Sequence, residues 1–312
     1  MTTSYPSAFS WSWLAASWRL LGLVVVLTAT FGLTPVRAAQ GMTPEARPSE
    51  VAQRVDALLP AQVLIIGEQH DADAHQALQA EVVHHLASRE LLHALVLEMA
   101  PRGHSTTGLP TDSAPQRVQQ ALAWPDADWP WERYGPVVMA AVRSGVPVHG
   151  GNLPRWAMRS AMTDTTLDRT LPPDGWQALQ ALIHTAHCEL LPASQWPGMA
   201  RIQIARDQAM AHTVRSLLQP DRVVLLLTGR QHARKDIGVP WQLAQIDPAL
   251  PTAQVRVIDL RTPSAEPLAP EGTPLSPDAV WPTPAAPPQD HCAALRQRFQ
   301  RPAGGPSGTT TP

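Results

Sequence analysis

The chain has 312 residues, enough for one large domain or two small ones, and its 44% hydrophobic content can supply a sizeable core. The 24 basic and 26 acidic residues give a formal net charge of -2, so there is no electrostatic basis for binding nucleic acid or an anionic surface. There are eleven tryptophans but only two tyrosines, so any tyrosine with a function is easily located.

The first 39 residues are predicted to be an export signal. Arg19 precedes the apolar run LLGLVVVLTATFGL at 20–33, and VRAAQ at 36–40 offers small residues for cleavage after Ala38 or Ala39. The run is shorter than the roughly 20 apolar residues of a membrane span; a retained anchor is the alternative. No cysteine lies near the cut, so lipid attachment to a membrane is not indicated. We therefore expect an exported protein of the periplasm or envelope.

Short aliphatic runs alternate with helical patterns between residues 45 and 262, which we predict to form one α/β domain. Predicted strands lie at 62–67, 94–99, 146–154, 222–229 and 253–260. The intervening helical patterns favour a mainly parallel sheet flanked by helices. Such sheets bind ligands at the carboxyl ends of their strands, so the residues that follow each strand are the candidates for a site.

Residues 263–312 are proline-rich and are predicted to be an extended or disordered tail. Proline removes backbone donors, and a segment of this composition has too little apolar area to offset the entropy of ordering. Cys292 lies in this tail and Cys188 in the domain. In an oxidising compartment the two can pair, and two unpaired thiols are the alternative.

Polar and ionisable side chains follow four of the predicted strands. They are Glu68 and His70, then Glu98 and Arg102, then His149, Asn152 and Arg155, and finally Arg230, His232, Arg234 and Asp236. A carboxylate directly after an aliphatic run is costly to bury unless it is paired or coordinating, which favours Glu68 and Glu98 as site residues. For His70 the alternative is a residue that merely begins the next helix.

The histidines are expected to fall into two groups. Cationic neighbours of His232 favour its neutral form, which is able to act as a ligand. By contrast His75, His84, His85 and His93 lie on or just after the first helix, where a solvated helix face is the expected environment.

Five segments, in this order, resemble the ChaN-like family of haem-binding uptake proteins in the Tiki superfamily. They are LIIGEQHDADAHQ, LVLEMAPR, WERYGPVVMAAVRSGVPVHGGNLPR, ARDQAMA and LLLTGRQHARKDIGVP, and the resemblance covers about residues 50–260. It implies an α/β fold and an exported or lipid-anchored protein that binds haem and is linked to iron acquisition. The superfamily also includes metal-dependent proteases that use two Gly-x-x-His motifs and an acidic residue. Here these motifs are 67–70 and 229–232, with Glu68 and Glu98 as the carboxylates.

The first functional hypothesis is a haem site, in a pocket above the strand ends or at a homodimer interface. Haem needs an axial ligand, cations for its propionates and apolar walls. The candidate axial ligands are His70, Tyr134 and His232; alternatively, Tyr134 simply packs in a cluster of aromatic rings. The candidate propionate partners are Arg102, Arg133, Arg155 and Arg234, and the candidate wall residues are Met99, Trp129, Trp131 and Met139.

The second hypothesis is metal-dependent hydrolysis. His70 and His232, with Glu68 or Glu98, would bind zinc, manganese or cobalt, and the remaining carboxylate would act as general base. No HExxH helix or other protease signature is present in the sequence. A third hypothesis is a non-catalytic interaction module whose polar strand ends are a remnant.

Overall fold

Six parallel strands form one sheet in the computed structural model, which describes residues 49–288 and 290–300. The predicted export signal lies outside the described residues. The strands are β1 (Val63–Glu68), β2 (Leu92–Pro101), β3 (Val148–Asn152), β4 (Val223–Gly229), β5 (Val255–Arg261) and β6 (Ala279–Pro282). Their order across the sheet is β3-β2-β4-β1-β5-β6, and each neighbouring pair is parallel. The prediction of a mainly parallel α/β sheet flanked by helices is confirmed.

Nine α-helices occur in the described part of the chain. They are α1 (Glu50–Asp56), α2 (Asp73–Ser88), α3 (Pro115–Ala121), α4 (Trp131–Arg143), α5 (Arg155–Thr163), α6 (Pro173–Ala186), α7 (Trp196–Ser216), α8 (Val239–Ile246) and α9 (His291–Gln300). None of these helices is long and apolar enough to cross a membrane.

Alternate residues of the central strands face opposite helical layers. Leu64 and Ile66 of β1 pack in a cluster with α1, α2 and α4, whereas Val63 and Ile65 pack with α7 and α8. A third cluster joins α5, α6 and α7 on the second side. Every residue of β1 and β4 is buried, because helices cover both faces of the sheet at these central strands. This explains the continuous aliphatic runs in the sequence.

The segment after residue 262, which was predicted to be an extended or disordered tail, contains strand β6 and helix α9. Strand β6 pairs with β5, and Trp281 is only 3% exposed, in the same core cluster as α2 and α4. One buried indole supplies much of the apolar area that the composition of this segment lacks.

The two cysteines form a disulfide, Cys188–Cys292, that joins α9 to the loop after α6, with Cα atoms 5.6 Å apart. The folded unit therefore continues past the expected boundary.

Replacing Trp281 with alanine is expected to lower the free energy of unfolding by about 3–5 kcal/mol, the usual cost of removing a buried aromatic ring. Trp156 is 84% exposed and provides a matched control, whose alanine variant should change stability by less than about 0.5 kcal/mol. Urea denaturation of both variants measures the difference. Equal effects would mean that β6 does not contribute to the core.

Candidate functional site

The two Gly-x-x-His motifs meet at the carboxyl ends of neighbouring strands. In the register of β1 and β4, Gly67 pairs with Thr228 and Glu68 with Gly229, so both histidine-bearing loops leave the sheet side by side. A Cβ atom on Gly229 would lie 2.8 Å from Nε2 of His70. Glycine at this position therefore makes room for the imidazole of the other motif.

Glu68 is a buried carboxylate whose acceptor sites are filled by protein groups. Its Oε1 accepts a hydrogen bond from the Tyr134 hydroxyl at 2.7 Å and lies 2.7 Å from Nδ1 of His70. Its Oε2 accepts from the side-chain amides of Gln76, at 3.0 Å, and Gln79. These partners offset the cost of removing the charge from water.

His70 is held by Glu68 through one ring nitrogen and exposed to the cavity at the strand ends. The described residues give Nε2 no hydrogen-bond partner, and the side chain is 38% exposed. Burial lowers the pKa of His70, but the hydrogen bond to Glu68 and the charge of Glu98 outweigh burial and raise it. Its ring meets Trp129 edge-on, with centroids 4.7 Å apart.

Tyr134 lies beneath the cavity rather than in its wall. Its side chain is 1% exposed, its hydroxyl donates to Glu68, and its ring packs near Trp124 and Trp129. Burial and the negative charge of Glu68 raise its pKa well above the ordinary value for tyrosine. The structure thus places Tyr134 as a group that positions Glu68, in the packed aromatic cluster that was the alternative interpretation.

His232 lies between two buried carboxylates. Its Nδ1 is 2.5 Å from Oδ1 of Asp207, and its Nε2 is 3.3 Å from Oε1 of Glu98. Burial alone lowers the pKa of His232, but the attraction of Glu98 and Asp207 outweighs it and raises the pKa to about 9. Without a metal, the two carboxylates therefore favour the protonated form of His232 at neutral pH.

The expectation of a neutral His232 is wrong, because its cationic neighbours in sequence are paired elsewhere. Arg230 donates to Asp259 at 2.6 Å, and Arg234 donates to Asp236 at 2.9 Å. The partners that decide the charge of His232 come instead from β2 and α7, which its sequence neighbourhood does not reveal.

Glu98 is a second buried carboxylate with protein donors on both oxygens. Its Oε2 accepts from the Thr228 hydroxyl at 2.8 Å and from the backbone N–H of Gly229 at 2.7 Å. Its Oε1 accepts from Arg206 at 2.7 Å. Burial raises the pKa of Glu98, but His232 and Arg206 outweigh it and hold the pKa well below its usual range.

Arg206 and Asp207 are site residues that the sequence interpretation missed. They lie on α7, and the rule that ligands bind at strand ends does not point to a helix. Besides Glu98, Arg206 donates to the side-chain oxygen of Asn152 at 3.0 Å, and so links β2, β3 and α7. The available signal was the segment ARDQAMA, where two charged residues lie among the apolar positions of a helix.

Two cavities share a wall at this edge of the sheet. The first, the strand-end cavity, has a volume of about 580 Å³ and lies between the two motifs. The second, the side cavity, has a volume of about 820 Å³. Glu98, Trp129 and Arg206 line both cavities. His70 and His232 line the strand-end cavity, and the exposed Trp156 lines the side cavity.

Of the four arginines predicted to bind propionates, two line a cavity and two do not. Arg102 and Arg155 line the side cavity, whereas Arg133 and Arg234 line neither cavity. Arg133 donates to the carbonyl oxygen of His70 at 3.0 Å, and so steadies the loop that carries it. Arg206, which was not predicted, is the arginine common to both cavities. Among the predicted wall residues, Met99 and Trp129 line the side cavity, while Trp131 and Met139 pack in the core.

The predicted metal ligands Glu68, His70, Glu98 and His232 lie at one edge of the sheet, where each is engaged by hydrogen bonds or opposite charges of the protein. Within residues 49–288 and 290–300, no group of three or more His, Cys, Asp or Glu side chains has the geometry to hold a metal ion. Both carboxylates accept hydrogen bonds from protein donors on each oxygen, and both ring nitrogens of His232 lie close to carboxylates.

The expectation that His75 lies on a solvated helix face is wrong, because its side chain is buried. Its Nδ1 accepts from the backbone N–H of Gln69 at 2.9 Å, and its Nε2 is 2.8 Å from the Thr283 hydroxyl. Burial lowers the pKa of His75. Helical periodicity could not reveal this environment, because Thr283 follows β6, in the segment expected to be disordered.

These features define an α/β protein with a ligand-sized cavity at the carboxyl ends of a parallel sheet, walled by tryptophan and arginine. A family profile described as haem-binding uptake, Tiki superfamily, ChaN matches residues 54–243. That match covers more than half of the chain, and the protein belongs to this family of haem-binding uptake proteins.

Comparison with solved structures gives a similar fold. A structure described as cofacial heme binding to ChaN of Campylobacter jejuni has 22% sequence identity and a TM-score of 0.58, covering 69% of this chain and 87% of that one. At that identity the likeness shows the fold. The type III effector HopBA1 has 13% identity and a TM-score of 0.42, covering 76% of this chain and 94% of that one. No curated protein sequence matches the chain.

The stability of the protein is expected to fall as pH rises through the pKa of His232. An unfolded histidine has a pKa of about 6.5, so the folded state binds the proton more tightly. The resulting stabilisation is fully present below about pH 6.5 and is lost as pH rises through about 9. The loss is at most about 3–4 kcal/mol, since the pKa difference is about 2.5 units and one unit corresponds to about 1.4 kcal/mol.

Urea unfolding at a series of pH values from 6 to 10 measures this loss. A His232→Asn variant should start from a lower stability and show a flatter profile, because the titrating group has been removed. His84, an exposed residue of α2, provides the control, and His84→Asn should keep the wild-type slope. A wild-type profile without a decline over this range would contradict the assigned charge.

Proposed function

We propose that this protein binds haem at the carboxyl edge of its sheet, with His70 as the protein ligand to iron, and that it is exported and takes part in haem uptake. The observation that carries the proposal is the Glu68–His70 pair. Metal-ligating histidines usually donate their second ring N–H to a carboxylate, which fixes the tautomer and orients the ring. Glu68 holds Nδ1 of His70 in this way and leaves Nε2 without a protein partner among the described residues.

The residues around the two cavities fit the chemistry of haem. The side cavity combines apolar side chains, among them Met99, Leu153 and Trp156, with the cations Arg102 and Arg155 at its rim. Arginine forms strong charge-assisted hydrogen bonds with carboxylates such as propionates. The Arg155 side chain is 82% exposed, and its partner among the described residues is Asp128 at 3.1 Å. Such a surface ion pair contributes little to stability, so Arg155 can exchange it for a propionate. When bound, haem would supply an iron centre; the chain would bind, orient and shield it.

The other two candidate ligands are less suitable. The Tyr134 hydroxyl donates a hydrogen bond to Glu68, and Tyr134 does not line either cavity. Both ring nitrogens of His232 lie close to carboxylates, Nδ1 to Asp207 and Nε2 to Glu98, so neither is left free for iron. Divalent-metal hydrolysis and a non-catalytic interaction module have no comparable observation in their favour.

Export and dimer formation belong to the same proposal. The predicted signal at residues 1–39 supports export, and so does the Cys188–Cys292 disulfide, since such bonds persist in oxidising compartments. A homodimer is the expected partner arrangement, and the exposed Trp156 beside the side cavity offers a surface that a second copy can cover.

Hemin titration of residues 40–312 tests the proposal. Micromolar wild-type protein should give a saturable shift of the Soret band, and His70→Ala should weaken binding by at least about tenfold, or about 1.4 kcal/mol, and alter the spectrum. His84→Ala removes an exposed histidine outside both cavities and should bind like the wild type. The absence of a saturable shift in both monomer and dimer fractions of the wild type would refute haem binding.

Tyr134→Phe separates the two candidate ligands. If His70 is the ligand, this variant should keep the wild-type Soret spectrum and bind hemin within about threefold of the wild type. It should lose about 1–3 kcal/mol of stability, because Glu68 loses a buried hydrogen-bond donor. Visible spectroscopy and thermal unfolding of the same preparation measure both effects. A changed ferric spectrum with unchanged stability would instead assign the ligand to Tyr134.

A further inference from the structure

The chain that follows β6 crosses the carboxyl edge of the sheet from one helical layer to the other. On the first side, Trp281 packs with the α2 layer and Thr283 bonds to His75 of α2. On the other side, Cys292 is bonded to Cys188, which follows α6 in the layer of α6 and α7. We call residues 283–288 and 290–292 the strap.

The strap contributes directly to the wall of the strand-end cavity. His291 lines this cavity together with His70 and His232. Nε2 of His291 is 3.1 Å from Oδ2 of Asp71, the residue that follows His70. The His291 side chain is 67% exposed, so this ion pair is weak and leaves the ring free to turn toward a ligand.

The strap is held mainly at its two ends. Residues 284–288 have no regular secondary structure, and Pro284, Pro287 and Pro288 remove backbone N–H groups that could bond to the layers beneath. One end is anchored by β6 and the bond between Thr283 and His75, and the other by the disulfide. The covalent bond therefore restricts how far the His291 end can move from the cavity.

We propose that the strap is a removable outer wall of the ligand cavity, that His291 contacts the bound ligand, and that the Cys188–Cys292 disulfide fastens the wall. This inference rests on the proposed function, since the ligand is taken to be haem. A protein dithiol would unfasten the strap by thiol–disulfide exchange. Two electrons and two protons would pass to the cysteines, giving two thiols, while the dithiol became a disulfide. Fastened, the strap slows exchange of haem; unfastened, it lets haem enter and leave faster.

The rate of haem release tests the strap. Hemin-loaded protein is mixed with excess apomyoglobin, and transfer is followed in the Soret region for the wild type, the Cys188→Ser/Cys292→Ser double variant and His291→Ala. The double variant should release hemin about tenfold faster or more, because a bound ligand is retained mainly through its release rate. His291→Ala keeps the disulfide, and should both release hemin faster and shift the Soret band. His84→Ala is the matched control and should behave like the wild type.

The outcomes separate the strap from haem binding itself. If both strap variants bind hemin and release it within about twofold of the wild-type rate, the strap proposal is overturned and the proposed function stands. If the wild type fails to bind hemin, both proposals fall. Circular dichroism of the double variant verifies that the sheet is intact, and His291→Ala tests the cavity wall without touching the disulfide.

Discussion

The arrangement of the site follows from one constraint: two carboxylates are buried where aliphatic strands end. A charge in that position is tolerated only if hydrogen bonds and opposite charges surround it. Glu68 meets the requirement with neutral donors and one imidazole, and Glu98 meets it with an arginine, a backbone N–H, a hydroxyl and an imidazolium. The identity of the groups packed around each carboxylate then fixes which histidine is left available for a ligand.

The two Gly-x-x-His motifs are equivalent in sequence and different in chemistry. Both place a histidine three residues after a glycine at the end of a buried strand, and the strands are neighbours in register. Yet His70 contacts a single carboxylate and remains partly exposed, whereas His232 is enclosed by two. Among the described residues, His70 therefore keeps one ring nitrogen without a protein hydrogen bond, whereas both ring nitrogens of His232 face carboxylates. Motif spacing identified the two histidines, and their contacts in the folded structure distinguish His70 from His232.

Much of the fold and half of the site could be predicted from sequence. Continuous aliphatic runs located five strands, and the rule for parallel sheets brought Glu68, His70, Glu98 and His232 to one edge. Strand β6 was missed because four residues in a proline-rich segment carry almost no periodic signal. The burial of the Trp281 indole in the core holds this strand in the sheet. Arg206, Asp207 and the true environment of His75 were missed because each depends on contacts between residues far apart in the chain. No local pattern contains that information.

The bond between His75 and Thr283 joins residues that are 208 positions apart. Contacts of such long sequence separation carry a large loop-closure entropy, which grows only slowly with the length of the loop. The two Gly-x-x-His motifs, whose histidines are 162 positions apart, carry a closure cost of nearly the same size. Because parallel pairing and contacts of this range must be closed before they stabilise the chain, slow folding is the expected consequence of this topology.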